Sequence, residues 1–417
     1  MNLWSNFAAL LTPRRLRAQA LVLALCLWGI CALDFATPGP FDHAGNIKFQ
    51  DFLPFYISAR LLAQGRSHQL FNQQIAFDQM HAILRESGDD RPTRVRLASV
   101  YGPQVGLCFV PLSRLSFPTA ARLWIALSVI LYFACIYLLL RISPRIRDHS
   151  AFIWLAAIAY PPLFHFFVRG QLSVLLLTCF TASALALHAK RNFLAGFALG
   201  ILVFKPQFLV AIPIVLLLAG SWRALSGLIL SAAVQLSLTW AIFGTSVMRA
   251  YFETLLHMSR WIETAEPGLA RIQMHSLRSF WSLLLPWPKV ALILYLMTSI
   301  VAILLAASAF KKSSNPALRF SALTLAAVLV NPHLFIYDLL VFIPVFLLLA
   351  DWALQEADPQ LQSTFRVLLY LAFVLPLFGP LSQWTHLQLS VPAFAALLWF
   401  LWTRFRASNL QPVARTQ

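Results

Sequence analysis

The sequence predicts an all-α polytopic membrane protein, and three observations carry that prediction. The 417 residues are 59% hydrophobic and only 11% charged, with a mean hydropathy of +0.73. A water-soluble domain of this size cannot hide so much apolar side chain, so the excess must face lipid. The apolar stretches are of helical length and rich in Leu, Ala and Phe, which excludes the short alternating strands of a β-barrel. The basic residues fall mostly in short connections between these stretches, where they set topology and meet anionic headgroups. The formal net charge of +17 is therefore read as membrane charge, and no nucleic-acid partner is indicated.

Apolar windows place spans near 18–35, 119–140, 151–168, 171–188, 192–204, 206–220, 224–243, 289–310, 318–332, 335–351, 365–380 and 390–404. That makes about twelve crossings in a single integral membrane domain over 1–417. The first window follows Arg14, Arg15 and Arg17. With so many spans behind it, an uncleaved signal anchor is expected rather than a cleaved leader. Cys26, Cys31, Cys108, Cys135 and Cys179 form no CxxC or Cys/His metal spacing, and inert thiols are expected.

The stretch 193–220 decides the topology, because it reads as one long helix or as two broken at Lys205-Pro206. With two, the connections holding Arg141/Arg145/Arg147, Lys190/Arg191, Arg223, Lys311/Lys312/Arg319 and Arg404/Arg406 all face the cytoplasm. With one, everything after Lys205 inverts and the later basic connections land outside. Two helices satisfy the positive-inside rule. This layout puts a first loop (36–118) and a second loop (244–288) on the outer side. The tight connections "VRGQ" (168–171), "FKPQ" (204–207), "NPHLF" (331–335) and "PLSQWTHLQ" (380–388) join them there. Polar residues that are not topology markers thus collect on one face.

In the first outer loop, Asp51 is positioned to cap a helix over 52–64, with Pro54 in its first turn and Gly65 near its end. Asn72 caps a second helix over 73–86, with Ile75, Met80 and Leu84 along one side. Phe52, Phe55, Tyr56 and Ile57 make the first helix apolar enough for both helices to lie in the membrane interface.

Several residues on this face suit chemistry. Asp51 is open to two readings, a helix cap or a general base that takes a proton from an attacking hydroxyl. Lys205 within a span would cost about 2.5–3.5 kcal/mol, so it snorkels or meets a lipid-borne phosphate as a point charge. Arg169 and Gln171, joined through Gly170 in a turn that suits glycine, either anchor helix ends or bind phosphate and sugar hydroxyls. His333 lies at an outer helix end, and Asp338, five residues on, requires a partner if it is inside a span. Tyr56, Arg260 and His275 are candidate substrate contacts; Arg271 shares the second loop. Tyr101-Gly102-Pro103 reads as a turn. No P-loop, GxGxxG, GxSxG or DxD pattern is present, so neither a metal nor a cofactor is expected.

The segments "DFLPFYISARLLAQG" (51–65), "LF", "YGP", "GQLSVLLL" (170–177) and "AGFALGILVFKPQFLVAIPIVLL" (195–217), with Trp222-Arg223, resemble glycosyltransferase family 87 over about residues 46 to 350. Phe71 stands where a tyrosine is common. The resemblance implies a GT-C-type bundle with its site on the outer face of the cytoplasmic membrane. It also implies a polyprenyl-phosphate sugar, mannose or another hexose, as donor and a lipid or glycan as acceptor. Asp51 then corresponds to the catalytic base, Lys205 to the lysine before proline, and His333 to an outer-end histidine; Lys205, Arg169 and His333 are the expected donor-phosphate contacts. A transporter or flippase of a lipid-linked or anionic substrate is the alternative, but it does not account for a large apolar first loop. No soluble partner is indicated.

Overall fold

The computed structural model describes residues 3–89, 100–265 and 272–408. Among these the architecture is all-helical, and β structure is limited to two isolated bridges. Among the described residues, six helices are long and apolar enough to cross a membrane: Pro13–Phe35, Phe117–Arg141, Trp222–Met258, Pro288–Lys312, Ile336–Ala353 and Pro359–Thr385. A pair bent by 47°, Ser150–Ile158 and Pro161–Arg169, makes a seventh if taken as one span. The windows expected at 171–188, 192–204, 206–220 and 318–332 fold as shorter apolar helices.

Those short pieces are where the chain breaks itself. Lys205 sits in non-helical geometry (φ −128°, ψ 72°) between the 3-10 turns Ile201–Phe204 and Pro206–Leu209. Pro206 removes a backbone donor and disfavours helix in the residue before it. The two-segment expectation for 193–220 is met at Lys205. The Trp222–Ala265 run is likewise interrupted at Gly244 (φ 75°, ψ 174°), where the second loop was expected to begin. The helix Pro316–Val330 is buried along nearly its whole length, and 89% of the apolar window of Ile336–Ala353 is buried, so these two form the centre of the bundle.

Close helix contact depends on small residues, as it does within lipid. Gly196 and Gly200 form a GxxxG stripe on Asn192–Gly200, facing Gly227 across the interface. A Cβ on Gly196 would stand 1.7 Å from the Ala224 carbonyl oxygen, and one on Gly227 2.1 Å from that of Phe193.

The segment expected as the first outer loop is a folded unit. Leu53–Ala63 begins with Pro54 in its first turn, and the chain turns out of it at Gly65 (φ 70°). The expected cap is corrected here: the N-cap position is Phe52, with no side-chain cap bond, and Asp51 lies in the preceding 3-10 turn Gln50–Phe52. Asn72 does cap Gln73–Glu86, its side chain accepting from the Ile75 N–H. Leu53, Phe55, Tyr56, Ile57, Ala59 and Leu61 are all buried against protein. Phe52 is fully buried, its ring stacked on Trp124 at 6.3 Å and edge-on to Phe109 at 5.5 Å.

The two ends of the bundle differ. At one, Asp351 accepts from the Arg145 and Ile146 amides, capping Pro144–Arg147, and Arg404 approaches Asp358. At the other, the connections expected outside meet one another. The His275 N–H donates to the Leu334 carbonyl, Met274 bridges Phe335, and the Gln388 amide donates to the carbonyls of Ile272 and Met274. Had 193–220 been one continuous helix, the connection after it would have emerged at opposite ends from these partners.

Candidate active site

Asp51 is where three of these connections converge. The turn Gln50–Phe52 is entered through Phe49 in left-handed geometry (φ 56°) and anchored by buried Phe52. It packs against Gly170, whose φ of 73° ends the Pro161–Arg169 helix. The Gly170 carbonyl accepts from the Trp124 indole at 3.1 Å, which fixes the turn from below. Arg169 and Gln171 therefore flank the aspartate. An Arg169 guanidinium N–H lies 3.4 Å from Asp51 Oδ1, and Gln171 Nε2 donates to Oδ2 at 3.1 Å. The second guanidinium nitrogen of Arg169 reaches Gln273 Oε1 at 3.4 Å, bringing in the segment expected as the second loop. The side chains of Asp51 and Arg169 are 15% and 19% exposed, so both can meet a ligand while remaining largely desolvated.

The orientation of the Gln171 amide is determined by its surroundings. Its Oε1 accepts from the Leu172 N–H at 3.0 Å and from the Tyr101 hydroxyl at 3.3 Å. The opposite edge must then carry the N–H groups, which donate to Asp51 and, at 3.3 Å, to the Tyr337 hydroxyl. Burial pushes the Tyr101 phenol up to about 12 against the opposing pull of Lys205, so it stays a hydroxyl and can donate.

Beneath this layer lies a buried ion pair. Lys205 and Asp338, 2% and 1% exposed, are joined at 2.5 Å, and the Ser173 hydroxyl donates to the same carboxylate oxygen at 2.7 Å. The Lys205 ammonium lies 5.3 Å from the Tyr337 ring centre and 6.0 Å from that of Tyr101. The partner Asp338 was expected to need is thus Lys205, and neither charge is left uncompensated in the apolar interior.

The other expected residues stand apart. Tyr56 is turned away: its hydroxyl donates to the Leu115 carbonyl at 2.6 Å and its ring packs edge-on against Phe117. His275 is fully buried with Nδ1 2.8 Å from the Ser390 hydroxyl; burial lowers its pKa to about 3, so it is a neutral packing group tying the second loop to the last helix. His333 is 7% exposed with Nε2 3.4 Å from Arg278. Burial, with the Arg278 charge, lowers it to about 4, so at neutral pH it carries no positive charge. Side-chain contacts of Arg260, and Arg271 altogether, lie outside the described residues.

Sequence reading missed Tyr101, Tyr337, Ser173, Gln273 and Arg278. From sequence, Tyr101 reads only as part of a turn. Tyr337 precedes Asp338 in "IYD", and an aromatic residue next to an intramembrane carboxylate was the available signal.

A polar cluster around a partly exposed carboxylate sits at one end of an apolar helical bundle, an arrangement that defines a candidate site in a membrane protein. Residues 100–334, more than half the chain, match the model of glycosyltransferase family 87, and the chain belongs to that family. It is a membrane glycosyltransferase, and a GT-C-type architecture is consistent with the fold. No curated protein and no solved structure matches it. Asp51 precedes the matched stretch, while Arg169, Gln171, Tyr101 and Lys205, which surround it, fall within.

Proposed function

We propose that the chain transfers a sugar, mannose or another hexose, from a polyprenyl-phosphate carrier to a lipid or glycan acceptor, with Asp51 as general base. The observation supporting this is the Asp51 carboxylate, 15% exposed and oriented on both oxygens by Arg169 and Gln171, in a chain of this family. An aspartate is ionised at neutral pH and accepts a proton from a hydroxyl held within hydrogen-bond reach. In a single displacement the acceptor oxygen bonds to the anomeric carbon as the bond from that carbon to the phosphate oxygen breaks. The proton passes to Asp51, the electron pair leaves with the polyprenyl phosphate, and the anomeric configuration inverts. Arg169, a partly exposed cation beside the base, is placed to stabilise the charge that builds on the phosphate. Lys205 contributes positive field from below, tempered by Asp338, and Arg278 supplies the charge at the position of neutral His333. No cofactor takes part.

The orientation follows from the basic connections. Phe117–Arg141 is 25 residues long, which separates Arg141 from the Asp51 end by roughly 37 Å. Basic connections face the cytoplasm, so the Asp51 end is assigned to the outer face of the cytoplasmic membrane, with the short helices completing about twelve crossings. The helices of the first loop would seat the isoprenoid tail at the interface.

The test is sugar transfer in membranes from a radiolabelled polyprenyl-phosphate hexose. Asp51→Asn, shown to be folded by its melting temperature, is expected to lose about 10²–10⁴-fold in rate. Undiminished transfer by the folded variant would remove Asp51 from the chemistry. Label crossing vesicles with no new glycosidic bond would support a transporter instead.

A further inference from the structure

Resting on that functional reading, we infer that Asp338 is a positioning residue for the transfer reaction. It anchors the Lys205 ammonium between two tyrosine rings, whose hydroxyls set the Gln171 amide that holds one oxygen of Asp51. The contacts form an unbroken path. Asp338 is held by the Ser173 hydroxyl and by its own backbone N–H donating to the Phe335 carbonyl. Its carboxylate fixes Lys205, a residue whose backbone is already constrained at the break between two 3-10 turns. The ammonium approaches the Tyr337 and Tyr101 rings at 5.3 and 6.0 Å. Those two phenols meet opposite edges of the Gln171 amide, and the amide donates to Asp51 Oδ2 at 3.1 Å.

Two features separate this from a pair that only balances charge. A buried ion pair is seldom needed for stability, because hydrophobic residues of similar volume serve as well or better. Here, moreover, both phenols in contact with the ammonium are spent on the residue that orients the base. Asp338 and Lys205 are only 1% and 2% exposed, so neither can touch substrate; beyond the field of the pair, their contacts reach the base through Tyr101, Tyr337 and Gln171.

The experiment compares wild type with Asp338→Asn and with the double variant Lys205→Met/Asp338→Leu, each purified as the full chain. Three quantities are measured: melting temperature, kcat and donor KM for transfer from a polyprenyl-phosphate hexose, and the rate of carbodiimide labelling at Asp51 read by peptide mass spectrometry. The single variant leaves a buried ammonium unbalanced and is expected to melt lower and lose activity. The double variant is expected to recover the melting temperature yet stay at least tenfold down in kcat. Its donor KM should remain within about twofold of wild type, and its Asp51 should label severalfold faster. A double variant with wild-type kcat and wild-type labelling would overturn the proposal and leave the pair a structural element. The labelling rate is read without substrate, so it judges Asp338 even if wild type transfers nothing from this donor. That outcome would overturn the functional reading alone.

Discussion

Replacing Gly170 by alanine perturbs the site through one methyl group, and its effect can be worked from the geometry. Gly170 adopts φ 73°, ψ 32°, a conformation that costs an L-residue roughly 1–2 kcal/mol. The added Cβ would lie 3.0 Å from the Cβ of Phe52 and 3.2 Å from the Cβ of Phe49. Carbon contacts settle near 3.5–4.0 Å, so the segment 49–52 must retreat by about 0.5 Å. Neither clash is relieved by a rotamer change, because both involve Cβ atoms fixed to the backbone that carries Asp51. Overpacking of this kind adds about 1–3 kcal/mol, giving a total destabilisation of roughly 2–5 kcal/mol.

The retreat is directed away from Arg169 and Gln171. The Arg169–Asp51 contact is already 3.4 Å, and half an ångström more takes it out of hydrogen-bond range. A misplacement of 1 Å costs on the order of 10²-fold in rate, so about tenfold is expected here. The assay pairs thermal unfolding in detergent with kcat for sugar transfer. Gly65→Ala is the control, since Gly65 has a similar φ of 70° with nothing within 4 Å of an added Cβ. It should lose about 1–2 kcal/mol and keep its kcat. Wild-type kcat in Gly170→Ala, or an equal loss of rate in both variants, would refute the reasoning.

Three further outcomes are expected. Gly196→Ala drives a Cβ to 1.7 Å from a backbone oxygen and should cost more than about 3 kcal/mol; Gly29→Ala, with open space around it, should be harmless, and similar membrane expression of the two would contradict the packing. His275 has its folded pKa lowered to about 3 by burial, so below the ordinary value of about 6.5 the unfolded chain binds a proton that the folded one does not. Stability is therefore lost as pH falls, by about 2 kcal/mol at pH 5, and His275→Asn should flatten the dependence of melting temperature on pH between 7 and 5; an unchanged slope would assign it to other groups. Glu86→Gln removes the bidentate partner of Arg60, but Glu86 is 55% exposed, so the expected loss is under about 1 kcal/mol, and a large drop in melting temperature would show that this pair supports the first loop.

How far the site was legible follows from what each residue answers to. The helix breaks at Gly170, Lys205 and Gly244 belong to local chemistry, a tight turn, a proline and a glycine-only conformation, and local chemistry is written in the sequence. The meeting of these connections at one end of the bundle was legible from charge alone, because the positive-inside rule groups connections by side without any knowledge of packing. Asp51 divides along the same line. Its place at that end of the bundle was accessible, but its local pattern, an acidic residue before a proline-started helix, pointed to a cap that the fold does not form. What displaced that role is non-local: Arg169 and Gln171 lie more than a hundred residues away and reach Asp51 only because Gly170 brings its turn against Phe49 and Phe52. The same holds for Lys205, whose partner Asp338 is on another helix, and for Tyr56 and His275, whose side-chain directions depend on which helix face is packed. The residues that sequence could not rank, Tyr101 and Tyr337 above all, are those whose hydroxyls matter only once Gln171 stands between them. In this protein, then, an unexplained polar residue at a predicted helix break is the strongest sequence signal of the site, and its partner must be sought at another break on the same side.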